Sequence, residues 1–551
     1  MSELQQYLDV AGFGARAPQV SLYEHLITAD RAGVIAQAGT GTGKSAAILA
    51  AAANRARATS SQSLVVTPTL TLMNQYRDGD VPRARQAYED LEITELRGRA
   101  HYHCDLAKGN HEVRGVEYII GCEGSDGGCA VAAWSEDGER GPFEPAYRCD
   151  YQLAKVLSRD ADIVVTNADM LIVNDRILAP LDREIFDLEG SLFVDEAHTL
   201  EQKLRDWASR SLWWKSLERF HFAGTSGPRL AEWLKSRAPE GQALRDLPSS
   251  QMAELRKITY ADMPPPHAND GLARMRETQE ACSKILTYLE APHDNLVLHV
   301  NDGSLKMDWI NISRSAGELL TERAFGLVSA TIPKTMASSL GIEGAPFIDV
   351  GHPFDYQKAW LGFSAYGGDY KAAQHDSNFE QRAGEVLDLV RRSKGGALLL
   401  FSSFRDMERV YDRLSPIIRT ELGIVSMLQE RGMSPTERQE MADRFRSDGN
   451  AILFGSESFA TGFDVPGDAL RLVIIWKLPY PPVDPVSNAI RSSSWSRYED
   501  LMKVRAVQAM GRLIRTTGDT GVVYWADARA RKLIDPSDTL TAHIPEFSRL
   551  P

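Results

Sequence analysis

Three groups of residues carry side chains that could do chemistry at a phosphate. Ala38 to Ser45 (AGTGTGKS) follows an apolar run and closes on a lysine and a serine. Gly39, Gly41 and Gly43, with Thr40 and Thr42 between them, let the backbone turn so that successive N–H groups converge on an anion. Lys44 reaches the outer phosphates and Ser45 offers a hydroxyl to Mg²⁺. Ala38 stands where such loops usually begin with glycine. The helix expected from Ala46 aims its positive end at the same anion, so a nucleoside triphosphate is the expected ligand. Asp195 and Glu196 form the second group, adjacent carboxylates after the strand-like Ser191 to Val194. Asp195 can hold Mg²⁺ through water and Glu196 can polarise an attacking water. The third group is Arg512 and Arg515, three apart on what reads as one helix face. Two guanidiniums presented together suit the oxygen edges of a phosphate.

A fourth group points to a metal. Cys104, Cys122, Cys129 and Cys149 fall in one glycine-rich stretch, with Cys282 alone elsewhere. Four thiolates can hold an iron-sulfur cluster or a tetrahedral zinc, with His101 and His103 as substitute ligands, and spacing leaves both metals open. A secreted disulfide scaffold is excluded by five cysteines in 551 residues.

The elements that position these groups follow from hydrophobic pattern. Short buried-type strands at Ser63 to Thr67, Ala161 to Thr166, Ser191 to Val194 and Gly326 onward alternate with helical stretches, which predicts a parallel sheet with ligands at its strand C-termini. Gly396 to Phe401, Ala451 to Phe454 and Leu472 to Trp476 predict a second sheet of the same kind, without a glycine loop of its own. The sequence divides into a first sheet domain at 1–95, 151–200 and 324–345, a cysteine-rich insertion at 96–150, a mostly helical insertion at 201–323, and a second sheet domain at 346–551. The start of the helical insertion interleaves Arg205, Trp207, Arg210, Trp213, Trp214, Lys215, Arg219 and Phe220. That pattern fits either a single-strand stacking surface or a helix burying its aromatics. Composition is ordinary globular, at 43% hydrophobic and 25% charged, and the net charge of −13 restricts any nucleic-acid site to a local patch. No basic, apolar leader opens the sequence and no apolar run reaches spanning length, so a cytoplasmic protein without membrane contact is expected.

Taken in order, these motifs resemble those of superfamily 2 helicases, and more closely the DinG/XPD group of iron-sulfur DNA helicases. The resemblance rests on Ala38 to Ser45, Thr67-Pro-Thr69, Arg97 to Cys104, Cys149 leading to Ala161 through Asn167, Asp195-Glu-Ala-His198, Ser329-Ala-Thr331, Gly462 to Gly467, Leu478 to Pro485 and Gln508 to Arg515. It implies two RecA-like doubly wound parallel-sheet α/β domains, with the two insertions forming an arch over the first. It implies ATP with Mg²⁺ at Lys44, Ser45, Asp195 and Glu196, and nucleotide contacts from Gln19, Asp464 and Gln508. Arg512 and Arg515 become arginine fingers reaching across the interdomain cleft. Thr67, Thr69 and Asn167 would lie by the DNA backbone, and His198, Ser329 and Thr331 would couple hydrolysis to DNA. The cysteine quartet would hold a [4Fe-4S] cluster. The implied activity is ATP-dependent, 5′ to 3′ translocation of a monomer on single-stranded DNA, unwinding forks, without a fused nuclease. Two alternatives accompany it: a CRISPR-associated or phage accessory helicase recruited by a CRISPR or repair complex, and a nucleic-acid-stimulated ATPase that remodels complexes without unwinding. The chain departs from the family pattern at Ala168, where a histidine often stands, and at Ala460-Thr461-Gly462 in place of Trp-Glu-Gly.

Overall fold

The structure, a computed structural model, describes residues 2–98, 101–102, 150–181, 184–187, 189–220, 225–237, 243–261, 272–301, 303–367, 378–460, 465, 467–516, 518–534 and 548–549. Along the chain the strands are β1 (Val34–Gln37), β2 (Ser63–Thr67), β3 (Ile93–Leu96), β4 (Ile163–Asn167) and β5 (Ser191–Val194). Next come β6 (Arg210–Trp213), β7 (Ala243–Leu244), β8 (Leu296–Val300), β9 (Ser304–Trp309), β10 (Ala324–Ser329) and β11 (Phe347–Asp349). The last are β12 (Ala359–Phe363), β13 (Ala397–Phe401), β14 (Ser426–Leu428), β15 (Ile452–Ser456), β16 (Leu472–Ile475), β17 (Gly521–Trp525) and β18 (Ser548–Arg549).

Two seven-stranded sheets result, ordered β11-β1-β10-β5-β2-β4-β3 and β14-β15-β13-β16-β17-β12-β18, and every neighbouring pair in both is parallel. Strands such as β2, β4 and β13 are buried along their whole length, as a sheet covered on both faces requires. On one face of the first sheet lies the helix Lys44–Thr59, whose run of alanines is buried on nearly every side. Alanine combines high helix propensity with a side chain small enough for close packing, so this helix fits between the sheet and the helices Glu3–Ala11 and Ala17–Ile27.

The expected start of the second sheet domain at 346 needs correction. Phe347–Asp349 pairs with β1, matching Ile35 to Phe347 and Gln37 to Asp349, and the Val350 N–H donates to the Gln37 carbonyl at 3.0 Å. The first sheet therefore keeps the chain until it has closed its own edge. Within 201–323, helices hold most of the described residues, but an antiparallel sheet ordered β6-β9-β8-β7 forms the centre. Trp214 and Phe220 are buried in the core beneath it, so these two aromatics pack rather than stack on a ligand, whereas Trp213 is exposed.

Candidate functional site

The phosphate loop leaves β1 and enters the helix Lys44–Thr59 through Gly41 and Gly43, at φ 74° and 84°, where a side chain would be strained. A Cβ on Gly43 would also stand 2.4 Å from the Gln19 amide nitrogen. Gln19 is buried and donates to the Gly43 carbonyl at 3.1 Å, and Arg16 donates to the Gly41 carbonyl. Thr42 turns inward to donate to the Gly39 carbonyl at 2.6 Å, which braces the loop. Thr40 lies 3.4 Å from the Tyr356 hydroxyl, and Phe354 closes against Gly41. Ala38 is fully buried and Ser45 partly exposed at the helix start.

At the end of β5, Asp195 is buried and accepts from the Tyr76 hydroxyl at 3.0 Å and from the Glu196 N–H at 2.8 Å. Glu196 has left-handed backbone, φ 46° and ψ 43°, which turns its carboxylate toward Lys44 at 3.6 Å. Burial and the neighbouring Glu196 charge push the Asp195 carboxyl up. Burial works on Glu196 in the same sense, but Lys44, His198 and Arg512 outweigh it and hold that carboxyl far below the usual range. The pair is thus divided into an acid that gains most from a cation and a carboxylate already ionised.

A hydrogen-bonded relay crosses from the second sheet's side to this carboxylate. The Gln508 amide nitrogen lies 2.6 Å from His198 Nε2, so that ring nitrogen accepts and the ring proton sits on Nδ1. Nδ1 then donates to Ser329 Oγ at 2.7 Å, and Ser329 donates to Glu196 at 3.3 Å. The Thr331 N–H faces the same Ser329 hydroxyl at 3.3 Å, and Gln37 on β1 accepts from the next N–H, that of Ile332.

Arg512 and Arg515 do not share a helix face, which corrects the sequence expectation. The helix Trp495–Met510 ends before them, and they lie on the turn that follows. Leu513 and Ile514 are both buried in the core, which successive residues on a surface helix would not achieve. Asp519 fixes the turn by accepting from the N–H groups of Arg515 and Thr516, each at 2.7 Å. Arg512 bears on Glu196 and Arg515 on Tyr356.

Residues 16–93 match the DEAD/DEAH box helicase family and residues 386–546 the helicase C-terminal domain family. The chain is 30% identical over 244 residues to the probable ATP-dependent helicase YpvA of Bacillus subtilis, covering 41% of this chain and 36% of that one. It is 29% identical over 274 residues to the ATP-dependent DNA helicase DinG of Photobacterium profundum, covering 45% and 38%. A solved XPD helicase superposes with a TM-score of 0.61 at 18% identity, covering 98% of this chain and all of the other. In sequence the chain is similar to DEAD/DEAH box and DinG helicases, and in fold to an XPD helicase. The matched segments span well under half the length of these curated relatives.

The remaining motif residues lie at the same C-terminal edge of the first sheet as the phosphate loop. Thr67 is buried at the end of β2, Thr69 caps the helix Leu70–Gln75 by accepting from Leu72 N, and Asn167 caps the helix Ala168–Val173 by accepting from Met170 N at 2.8 Å. Asp464 and the cysteines Cys104, Cys122, Cys129 and Cys149 lie outside the described residues, as does His103. Sequence reading missed Tyr76, whose hydroxyl orients Asp195, and Gln37, whose amide group spans from Ile332 to Asp349. Tyr76 begins a short π-helical turn, a form that often marks functional positions, but no residue pattern announces it. Among the described residues no helix is long and apolar enough to cross a membrane.

Proposed function

We propose that this protein is an ATP-dependent DNA helicase of the DinG type, acting in the cytoplasm as a monomer that translocates 5′ to 3′ on single-stranded DNA and separates the duplex ahead of it. The observation that carries the reading is the relay from Gln508 through His198 and Ser329 to Glu196, which makes the hydrolytic carboxylate answer to the second sheet domain. Lys44 and Ser45 would hold the outer phosphates and Mg²⁺, Asp195 would bind that Mg²⁺ through water, and Glu196 would orient the attacking water. Gln19 beside Gly43 supports a nucleotide-edge contact. Arg512 and Arg515 would complete the charge around the γ-phosphate only when the two domains close, so each turnover would be one closing and opening step. Thr67, Thr69 and Asn167 would face one strand.

The test is a fork. A substrate with a 5′ single-stranded tail is unwound, one with only a 3′ tail is not, and raising salt weakens loading steeply because backbone contacts displace counterions. Unwinding from the 3′ tail alone would overturn the polarity. Stimulated hydrolysis without strand separation on either fork would make the protein a remodelling ATPase.

For Cys104, Cys122, Cys129 and Cys149 the fit rests on the donor set, four thiolates in one stretch, which is what a [4Fe-4S] cluster takes. A bound cluster would tie these four positions together as a structural cross-link, and no step of hydrolysis runs through it. Anaerobically purified protein is expected to be brown with about four irons per chain. Cys149→Ser then loses the iron and the unwinding but keeps basal ATP hydrolysis. Colourless, iron-free protein that unwinds normally would remove the cluster from the reading.

A further inference from the structure

The helix Trp495–Met510 touches the first sheet domain or the insertion it carries at three points along its length. Near its start, Arg497 donates to the Ile310 carbonyl at 2.8 Å and also pairs with Glu201. One turn on, Asp500 accepts from both the N–H and the hydroxyl of Thr335, each at 2.9 Å. At its far end Gln508 meets His198. Arg497 and Gln508 are eleven residues apart, three turns, so they share one face about 16 Å apart. Both partners of Arg497 lie in the insertion at 201–323. Glu201 begins the helix Leu200–Ala208 directly after the acid motif, and Ile310 follows β9 of the four-stranded sheet.

The Arg497 contact is built as a buried ionic site. Arg205, on the same helix as Glu201, pairs with that carboxylate too, so one carboxylate serves two guanidiniums. Arg205 and Arg497 are 3% and 9% exposed. The Nε of each has no hydrogen-bond partner among the described residues. Two arginines share this one acid in a desolvated seam, where Asp206 and Asp308 also bear on Arg205. Such a group is retained at a cost in desolvation, and it imposes one geometry on the partners that satisfy it. Apolar contacts seal the same seam, where Val297 and Ile310 pack against Ile490 and Tyr498.

We propose that Arg497 is a positioning residue for hydrolysis: it fastens the start of this rigid helix to Glu201 and Ile310, and thereby sets where the far end holds Gln508 and the following arginine turn against Glu196. This rests on the assignment of Lys44, Glu196 and the arginine pair to ATP hydrolysis. The contact reaches the relay through the helix at one end and through Glu201, three residues after His198, at the other, so its loss acts on turnover and spares the phosphate loop. It also makes the four-stranded insertion, through Ile310, a participant in the alignment of the hydrolytic residues.

The experiment compares steady-state ATP hydrolysis, with and without single-stranded DNA, for the full chain and for Lys44→Ala, Arg497→Ala, Arg497→Lys, Glu201→Gln, Gln508→Ala and the Arg497→Ala/Gln508→Ala pair. Arg497→Ala is expected to lower kcat by about 10- to 10²-fold, the scale of a misplaced reacting group, with KM for ATP within about threefold. Arg497→Lys recovers part of the loss, because an ammonium keeps the charge opposite Glu201 but not the second arm to Ile310. The double variant falls no more than about twofold below the slower single variant, since both contacts act through one helix. Should Arg497→Ala fail to fold, Arg497→Lys and Glu201→Gln are read by the same kcat and KM criteria. The proposal is overturned if these variants turn over at the full rate while Lys44→Ala is inactive, if only KM changes, or if the two single losses multiply. Full turnover by Lys44→Ala would instead overturn the hydrolytic assignment on which the proposal rests.

Discussion

Lys44→Ala loses ATP turnover by a factor on the order of 10³ or more, and Glu196→Gln retains nucleotide binding while its turnover falls by about 10²- to 10⁴-fold. The two effects have different origins. Lys44 is 12% exposed and is the cation nearest the acid pair, 3.6 Å from Glu196. Without it, charge developing on the outer phosphates loses its closest fixed counter-charge, and 10³ in rate corresponds to about 4 kcal/mol of transition-state stabilisation. Glutamine at 196 keeps the size of the side chain and an oxygen for Ser329, but it cannot orient a water as a carboxylate does. Steady-state rates together with nucleotide binding measured separately distinguish the two outcomes. Near-normal turnover in either variant would remove that residue from the site.

Arg515→Ala is expected to lower kcat by about 10³-fold while nucleotide affinity stays within severalfold, the signature of an arginine finger. The structure sharpens the reason. Arg515 stands on a turn whose backbone is held by Asp519 and anchored by the buried Leu513 and Ile514, so its backbone position is set by the second domain. Tyr356, which neighbours it, also reaches Thr40 of the phosphate loop. Arg512 serves as the internal comparison, because it bears on Glu196 itself, adding to the larger effects of Lys44 and His198. Equilibrium nucleotide binding and single-turnover hydrolysis measured on both alanine variants separate the roles. A defect in Arg515→Ala confined to affinity would make Arg515 an anchor and shift the finger to Arg512.

What could be read from the sequence was what is local. The phosphate loop announces itself because strand, glycines, lysine and helix must follow one another within a few residues, and the sheets announce themselves as short unbroken aliphatic runs. The acid pair is legible because it ends such a run. The arginine turn was misread because a spacing of three is equally a helix face and a turn, and the deciding partner, Asp519, declares nothing by its type. β11 and β7 are only three and two residues long, too short to show alternation, and both exist because a longer neighbour offers an edge. Tyr76 meets Asp195 at a sequence separation of 119, Gln37 meets Ile332 at 295 and Glu201 meets Arg497 at 296. Each of these partnerships is chosen by the packed fold and leaves no mark in either residue's surroundings.

The left-handed backbone at Glu196 sets the site's activity against the molecule's durability. For a residue with a β-carbon that conformation costs roughly 1–2 kcal/mol, and only glycine occupies it freely. The first domain therefore carries a standing destabilisation at the one position whose carboxylate must turn back toward the lysine, with the buried hydrogen bonds around Asp195 and Ser329 holding the turn in place. Engineering toward higher thermal resistance will meet this residue early, because the change that relaxes the backbone most is also the one that deletes the carboxylate proposed to act in hydrolysis. Gains in stability have to come from elsewhere in the sheet, and the rigidity they add must still leave the cleft free to open.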